Sequence, residues 1–410
     1  MRPAPDRRRV SDSAPIGHGE STPTSRRGRF DDFGGQYVAP ILIPVLDRLD
    51  DAFVSAWGDV SFRQAFETIL HRFVGRPTPL FQASRLAGRS PARIVLKRDD
   101  LTFEGGNYAT SALGQCLLAQ RMGLGAVIAD TGSGENGIAT AAVAAQLGLA
   151  CRVFIGSRDA AKNPVAVRRV IAFGSQVSIV DDRDATLHAA MSAALRHWMS
   201  CAETTAYVIG GPIGPHPFPT MVGAFEAVVG RETRMQLLEA GLAPQAIVSA
   251  VGGGASTLGL FKAFVGDPQI ALLAVEAGGD GEGPHAARLA RGRRGILHGA
   301  ETLVLSDDNG NIAQTASIAP GLAYPGSAPE LASLVKRGRV VLACVGDVAA
   351  RDAVLHLAAS EGILVSLEAG HALAAGLEFA RQARSSDVVV VMVPSSGEKD
   401  LDALEIRGPT

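Results

Sequence analysis

Cysteine is scarce in this sequence of 410 residues, and its four cysteines stand far apart at positions 116, 151, 201 and 344. They form no C-x-x-C pair or other metal-ligand spacing, so the sequence predicts neither a disulfide framework nor a metal site. An excess of charge of one sign is also lacking, because the formal net charge is only -2. This balance gives no reason to expect binding to nucleic acid or to a membrane surface.

Long apolar runs are missing as well. No stretch approaches the ~20 residues of a membrane span, and the Arg-, Pro- and Ser-rich N-terminus has no apolar segment of the kind that a secretory signal needs. We therefore expect a cytoplasmic protein. Residues 1–28 cannot bury enough surface to order themselves, and this composition predicts a disordered tail.

Short β-branched runs alternate with Ala-rich helical stretches from about residue 90 onward. The runs are residues 94–96, 126–128, 153–155, 177–180, 207–209, 247–251, 272–275, 340–342 and 388–391. Apolar runs separated by helices are typical of parallel strands that are covered on both faces. Because the chain is longer than one core usually supports, we expect two α/β domains.

Parallel sheets bind ligands outside the carboxyl ends of their strands, so the loops after Ala129, Val251 and Val393 are the candidate site. The loop 252–256 offers uncovered backbone N–H groups to a phosphate, although such a turn by itself is often only a tight connection. The loop 130–137 brings two carboxylates beside a second glycine turn. Acids in that position more often face a cleft than solvent.

Several motifs together resemble the tryptophan synthase β subunit, in order and at similar spacing. They are Gly-Arg-Phe at 28–30 with Phe-Gly-Gly-Gln-Tyr-Val at 33–38, Gly-Arg-Pro-Thr at 75–78, Leu-Lys-Arg-Asp-Asp-Leu at 96–101, Gly-Pro-His-Pro-Phe-Pro-Thr at 214–220 and Leu-Glu-Ala-Gly-His-Ala at 367–372. The resemblance covers residues 28 to about 402. It implies fold type II of the pyridoxal-phosphate (PLP) enzymes, an α/β architecture of two domains with parallel sheets covered by helices. It further implies an active site between the domains and a homodimer.

The same resemblance implies the domain boundaries. Residues 29–73 and 107–224 would form the N-terminal α/β domain, and residues 74–106 and 225–405 the C-terminal one. The family's segment for docking an α-type subunit reads Ala-Thr-Leu-His at 185–188, where the family has Lys in place of His. This difference makes docking of an α-type subunit doubtful.

The resemblance breaks down at the residue that would hold the cofactor. The family's cofactor loop contains a Schiff-base lysine, whereas residues 105–111 read Gly-Gly-Asn-Tyr-Ala-Thr-Ser, with or without a shift of one residue. A phenol such as Tyr108 cannot replace that amine. The chain has five lysines, at positions 97, 162, 262, 336 and 399, and none is a persuasive substitute. We therefore predict a protein without a cofactor, whose phosphate loop is vestigial. That loop consists of Gly252, Gly253, Gly254, Ala255 and Ser256.

Four side chains are candidate acid–base catalysts. By resemblance, Asp130 stands where the family has a glutamate that handles the indole N–H, and Glu135 replaces a glutamine in the loop that grips the substrate carboxylate. Glu368 matches an acid that packs near the cofactor ring, and Tyr108 supplies a phenol. The candidate substrate-binding residues are Gly132, Ser133, Gly134, Asn136, Asn107 and Tyr324.

These features favour a PLP-independent, repurposed enzyme of the lyase type that acts on an indole-like aromatic molecule. The expected reaction is a carboxylate-catalysed condensation or cyclisation that forms a C–C bond in specialised metabolism. A catalytically inactive pseudo-subunit that regulates an active synthase partner is the alternative. A third possibility is a PLP enzyme that uses an unexpected lysine.

Overall fold

The structure is a computed structural model, and it describes residues 28–86, 88, 92–103, 106–182, 185–280 and 285–404. The tail expected for residues 1–28 lies outside this range except for Gly28. In the described ranges, no helix combines the length and the apolar character that crossing a membrane requires.

The strands of the described chain form three sheets. They are β1 (Arg29–Phe30), β2 (Phe33–Gly34), β3 (Leu80–Gln82), β4 (Arg93–Arg98), β5 (Ala126–Thr131), β6 (Ala150–Gly156), β7 (Gln176–Val180), β8 (Thr205–Val208), β9 (Pro244–Ala250), β10 (Ala271–Gly279), β11 (Arg293–Leu297), β12 (Ala300–Val304), β13 (Val340–Gly346) and β14 (Val388–Val393). One sheet has the order β7-β6-β5-β8 and a second the order β13-β10-β9-β14-β4-β3. A small antiparallel sheet has the order β1-β2-β12-β11.

Helices pack on these sheets. They are α1 (Ile43–Gly58), α2 (Val60–Ile69), α3 (Tyr108–Arg121), α4 (Glu135–Leu147), α5 (Ser157–Lys162), α6 (Pro164–Ala172), α7 (Leu187–Cys201), α8 (Phe218–Glu226), α9 (Val228–Glu239), α10 (Ala255–Phe261), α11 (Arg288–Arg291), α12 (Pro329–Lys336), α13 (Asp347–Glu361) and α14 (Leu367–Gln382). Each of the apolar runs predicted as a strand overlaps one of β4–β10, β13 or β14.

The prediction of parallel strands covered on both faces is confirmed. All pairings in the sheet β7-β6-β5-β8 are parallel. In the six-stranded sheet only β3 runs antiparallel to its neighbour. Successive residues of β14 enter two different apolar clusters, with Val389 and Val391 in one and Val388 and Val390 in the other. Alternate side chains of a strand point to opposite faces, so both faces of this sheet are buried.

Candidate active site

A cleft of about 1440 Å³ lies at the carboxyl ends of the parallel strands, where the sequence analysis placed the site. Its walls come from the end of β5, the loop after β8, the glycine loop that follows β9 and the segment from Gly310 to Pro325. Ligand pockets commonly enclose ~300–1,000 Å³. The cleft therefore has room for a substrate together with a second molecule.

Asp130 lies inside β5 rather than in the loop after it, and its carboxyl group faces the cleft. The residue is 5% exposed, and its Oδ1 accepts a hydrogen bond from the hydroxyl of Tyr207 on β8. Burial raises the pKa of Asp130 to about 6, and the Tyr207 hydrogen bond limits the rise. At neutral pH the group is thus mostly ionised but close to its pKa, which suits a general base.

The end of β5 and the loop to α4 are held by hydrogen bonds next to Asp130. Gly134 adopts φ of 97°, which favours glycine, and its N–H donates to the Thr131 hydroxyl over 3.1 Å. The Asn136 amide donates to the backbone carbonyl of Asp130 over 2.8 Å. Gly132, Ser133 and Asn136 line the cleft as expected for substrate-binding residues. The Asn136 amide thus fixes the backbone at Asp130.

Glu368, Lys399 and Asp400 form a second charged group beside the cleft. The Lys399 Nζ donates to both carboxylate oxygens of Glu368, over 3.0 and 2.9 Å, and lies 3.4 Å from Asp400. The Glu368 Oε1 also accepts the N–H of Gly321, a residue of the cleft wall. Although burial opposes ionisation, the Lys399 ammonium and these hydrogen bonds lower the pKa of Glu368 to about 2.

Glu135 and Tyr108 are influenced by the charges of this second group, and Tyr108 lines the same cleft as Asp130. Burial raises the pKa of Glu135, and the charge of Lys399 partly opposes that rise. Burial also raises the pKa of the Tyr108 phenol, and the carboxylates of Glu135 and Glu368 add to the effect. Lys399 thus supplies a cation to these carboxylates. The sequence predicts no role for Lys399, because its partner Glu368 is 31 positions away and no local pattern marks their contact.

The phosphate loop has the geometry of an anion cradle. Gly254 adopts φ of 100°, and a Cβ on Gly252 would lie only 2.1 Å from the carbonyl oxygen of Gly321. Gly253, which lines the cleft, has open space on its side-chain face apart from one methyl group at 3.8 Å. The Ser256 hydroxyl donates to the Asn107 Oδ1 over 3.0 Å, which ties the loop to the start of α3.

Aromatic rings form the wall opposite Asp130, and sequence reasoning found only one of them. Tyr324 stacks on His298 with ring centroids 5.8 Å apart and an interplanar angle of 26°, and its hydroxyl lies 2.8 Å from the His298 Nδ1. His188 lies beside His298, at 3.4 Å between ring nitrogens. Burial and His188 together lower the pKa of His298 to about 4, so His298 is neutral at pH 7. Flat neutral rings favour an aromatic ligand.

The four candidate catalysts therefore fall into two groups. Asp130 accepts a hydrogen bond from Tyr207, whereas Glu368 accepts from Lys399. The charge of Lys399 also opposes the rise in the pKa of Glu135 and of Tyr108. Tyr207 was treated only as part of a strand, and no local signal in the sequence marks its hydroxyl. Its partner is 77 positions away in the chain.

A glycine cradle, a buried acid near its pKa and a lysine held by carboxylates all lie at the carboxyl ends of parallel strands. The chain is therefore an α/β protein with a polar cleft where such folds usually hold their ligands. The chain belongs to the family of pyridoxal-phosphate dependent enzymes, whose model matches residues 72–395. It is a tryptophan synthase β-like member with fold type II, as the resemblance implied.

Curated relatives and solved structures agree with this assignment. The tryptophan synthase beta chain of Stenotrophomonas maltophilia (strain R551-3) is 41% identical over 399 residues, covering 96% of this chain and 98% of that protein. That of Xanthomonas oryzae pv. oryzae (strain MAFF 311018) is 43% identical over 384 residues, covering 93% and 95%. A threonine deaminase from T.th. has a TM-score of 0.63 at 22% identity, covering 84% of this chain and 98% of that one. O-ureido-L-serine synthase has a TM-score of 0.61 at 21% identity, covering 81% and 94%. These two structures show the fold alone.

The prediction of a protein without a cofactor is wrong. The family that matches most of the chain is PLP-dependent, and the relatives are tryptophan synthase beta chains. The prediction relied on the cofactor loop without a lysine and on finding no persuasive substitute among the five lysines, whereas residues from elsewhere in the chain fit the cofactor. The uncovered N–H groups of Gly252–Gly254 suit a phosphate, and the Lys399 amine lies beside the same cleft.

Proposed function

We propose that this protein is a PLP-dependent enzyme of the tryptophan synthase β type that forms a C–C bond at a nucleophilic carbon of an indole-like molecule. The observation that carries the proposal is the buried Asp130 carboxyl group, which is hydrogen-bonded by Tyr207 and whose pKa is raised to about 6. A ring N–H becomes acidic as the neighbouring ring carbon attacks an electrophile. A base with a pKa close to neutrality is matched to taking that proton.

Different residues of the cleft would take the proton and hold the aromatic substrate. Asp130 accepts the proton at its carboxylate, which Tyr207 orients through its hydroxyl, while Asn136 holds the backbone carbonyl of Asp130. Tyr324 and His298 present flat faces to the aromatic substrate. Because His298 is neutral at pH 7, the two rings can stack on a flat heteroaromatic ring without charge repulsion.

The cofactor would be held on the other side of the cleft. Gly252, Gly253, Gly254 and Ser256 would bind its phosphate, with Asn107 fixing the Ser256 hydroxyl. When bound, PLP supplies an electron sink for an amino-acid co-substrate. Glu368 keeps the Lys399 amine protonated and directed inward.

A product screen tests this proposal. Purified protein with added PLP would be incubated with indole and ring-substituted indoles, with and without each standard amino acid. We expect a new C–C-linked product by mass spectrometry, and none from the Asp130→Asn variant. Absence of any product, together with co-purification of an active synthase subunit, would instead support the pseudo-subunit.

The cofactor should react with one particular lysine. After loading with PLP and reduction with borohydride, we expect a slow label on Lys399, whose Nζ lies within the charged group of the site. The label forms slowly because, despite burial, the neighbouring carboxylates raise the pKa of this amine, and only its small deprotonated fraction can react. Peptide mass spectrometry identifies the labelled residue. Lys399→Arg should abolish labelling, whereas Lys162→Arg, a change at the exposed rim of the same cleft, should not. A label on Lys162 in the wild type would contradict this role of Lys399.

Tyr207 should set the pH dependence of the reaction. Activity requires ionised Asp130, so it is expected to fall as the pH drops through about 6. Removing the donor with Tyr207→Phe raises the pKa of Asp130 further, since a hydrogen bond to a charged group contributes roughly 1.5–3 kcal/mol. The acidic limb of the pH profile of kcat/KM should then move upward by about 1–2 pH units. Tyr324→Phe removes a hydroxyl from the same cleft without touching Asp130 and should leave that limb in place.

A further inference from the structure

Arg288, the first residue of α11, is a fully buried cation with an unusual set of partners. Its guanidinium group donates to four backbone carbonyls. Nη1 donates to Ala286 over 2.6 Å and to Leu322 over 2.8 Å, while Nη2 donates to Gly252 over 2.6 Å and also to Val251. A guanidinium with this many fixed carbonyl contacts acts as a rigid connector between the segments that supply them.

Two of the connected segments are the two halves of the proposed site. The carbonyls of Val251 and Gly252 belong to the phosphate loop. Leu322, whose carbonyl accepts from Arg288, stands two residues before Tyr324 of the aromatic wall. It directly follows Gly321, whose N–H donates to Glu368. Arg288 therefore fixes the distance between the place for the phosphate and the place for the aromatic substrate.

The charge of Arg288 is balanced by the buried carboxylate of Glu276 together with these carbonyl dipoles. Its nearest carboxylate is Glu276, whose Oε1 lies 3.6 Å from the Arg288 Nε and accepts the N–H of Leu289 over 2.8 Å. The other carboxylate oxygen of Glu276 accepts the N–H of Ala290 over 2.9 Å.

The contacts of Arg288 also affect the peptide groups of the phosphate loop. A cation that binds a peptide oxygen polarises that peptide group and makes its N–H a stronger hydrogen-bond donor. The N–H groups affected are those of Gly252 and Gly253, which face the anion cradle.

We propose that Arg288 is a positioning residue that acts as an internal cation, strengthening the N–H donors of the phosphate loop and holding that loop in register with the aromatic wall. This inference rests on the proposed function, because it assumes that a phosphate-bearing cofactor binds in the cleft. Arg288 itself touches neither cofactor nor substrate.

The test is chemical rescue of the complete protein. Arg288→Ala removes the guanidinium group and leaves four inward carbonyls, so PLP affinity should fall roughly 10- to 100-fold, the equivalent of losing charged hydrogen bonds. Free guanidinium ion, at a concentration well below the onset of unfolding, should restore most of that affinity. Hydrogen exchange should rise together in residues 252–256 and 320–324 of the variant and fall together when guanidinium is added.

Arg339 provides a matched control. It also donates to four backbone carbonyls, those of Phe264, Val265, Asp267 and Ile270, but at a distance from the cleft. Arg339→Ala should lower stability without lowering PLP affinity. The inference is overturned if both variants lose affinity alike, or if guanidinium leaves the Arg288→Ala affinity and exchange unchanged. If the wild type binds no PLP, the proposed function fails, while the paired hydrogen-exchange result still decides the positioning role.

Discussion

Asp130→Asn will lower the turnover of the aromatic substrate by roughly 10²–10⁴-fold, the range for loss of a general base. Asparagine keeps the shape of the side chain and still accepts the hydrogen bond from Tyr207, but it cannot take a proton. Steady-state kinetics would show the loss in kcat, because the binding surface is preserved. Near-normal turnover would remove Asp130 from the mechanism.

The same substitution is expected to stabilise the fold at neutral pH. The pKa of Asp130 is about 6 in the folded state and 3.8 in the reference state, so the folded protein binds more protons between these values. Stability of the wild type therefore falls as the pH rises from about 4 to about 6, by up to about 3 kcal/mol. Denaturant unfolding should show that Asp130→Asn lacks this fall. A loss of both activity and stability would mean that the asparagine disturbs the site.

Glu368→Gln will lower the free energy of unfolding by roughly 3 kcal/mol at neutral pH, the lower end of the cost of breaking a buried ion pair. Glutamine still accepts the Gly321 N–H, but Lys399 loses its principal counter-charge. The folded pKa of Glu368 is about 2, below its reference value of 4.5. The contribution is thus fully present above pH 4.5 and disappears as the pH falls towards 2. The difference between variant and wild type should shrink over that interval.

An exposed ion pair serves as the control for Glu368→Gln. The Arg48 guanidinium donates to both carboxylate oxygens of Glu203 over 2.8 Å, and both side chains are more than half exposed. Solvent screens such pairs, so Glu203→Gln should cost less than about 1 kcal/mol. Because deprotonated Lys399 is the better nucleophile, Glu368→Gln should also increase borohydride labelling of Lys399 by PLP. Equal stability losses in the two variants would show that burial of the Glu368 pair contributes nothing.

The error about the cofactor has a physical cause. The absence of a lysine from residues 105–111 was read correctly from the sequence, but a cofactor is held by groups from many segments of the chain. The cradle lies at residues 252–256 and the amine at Lys399. Their approach to each other depends on the order of strands β9, β14 and β4 in one sheet. The missing lysine of one loop and the sequence positions of the other five were therefore too little information to exclude the cofactor.

The sequence by itself determined strands β4–β10, β13 and β14, their parallel arrangement and the edge of the sheets at which the cleft lies. Those features follow from local apolar patterning and from glycine positions, which act over a few neighbouring residues. Only the tertiary structure decided the partners of the polar groups: Tyr207 for Asp130, Lys399 for Glu368 and four carbonyls for Arg288. These partners stand 77, 31 and up to 37 positions apart. Packing of the sheets brings them together, because a buried charge must find its partner wherever the fold places one.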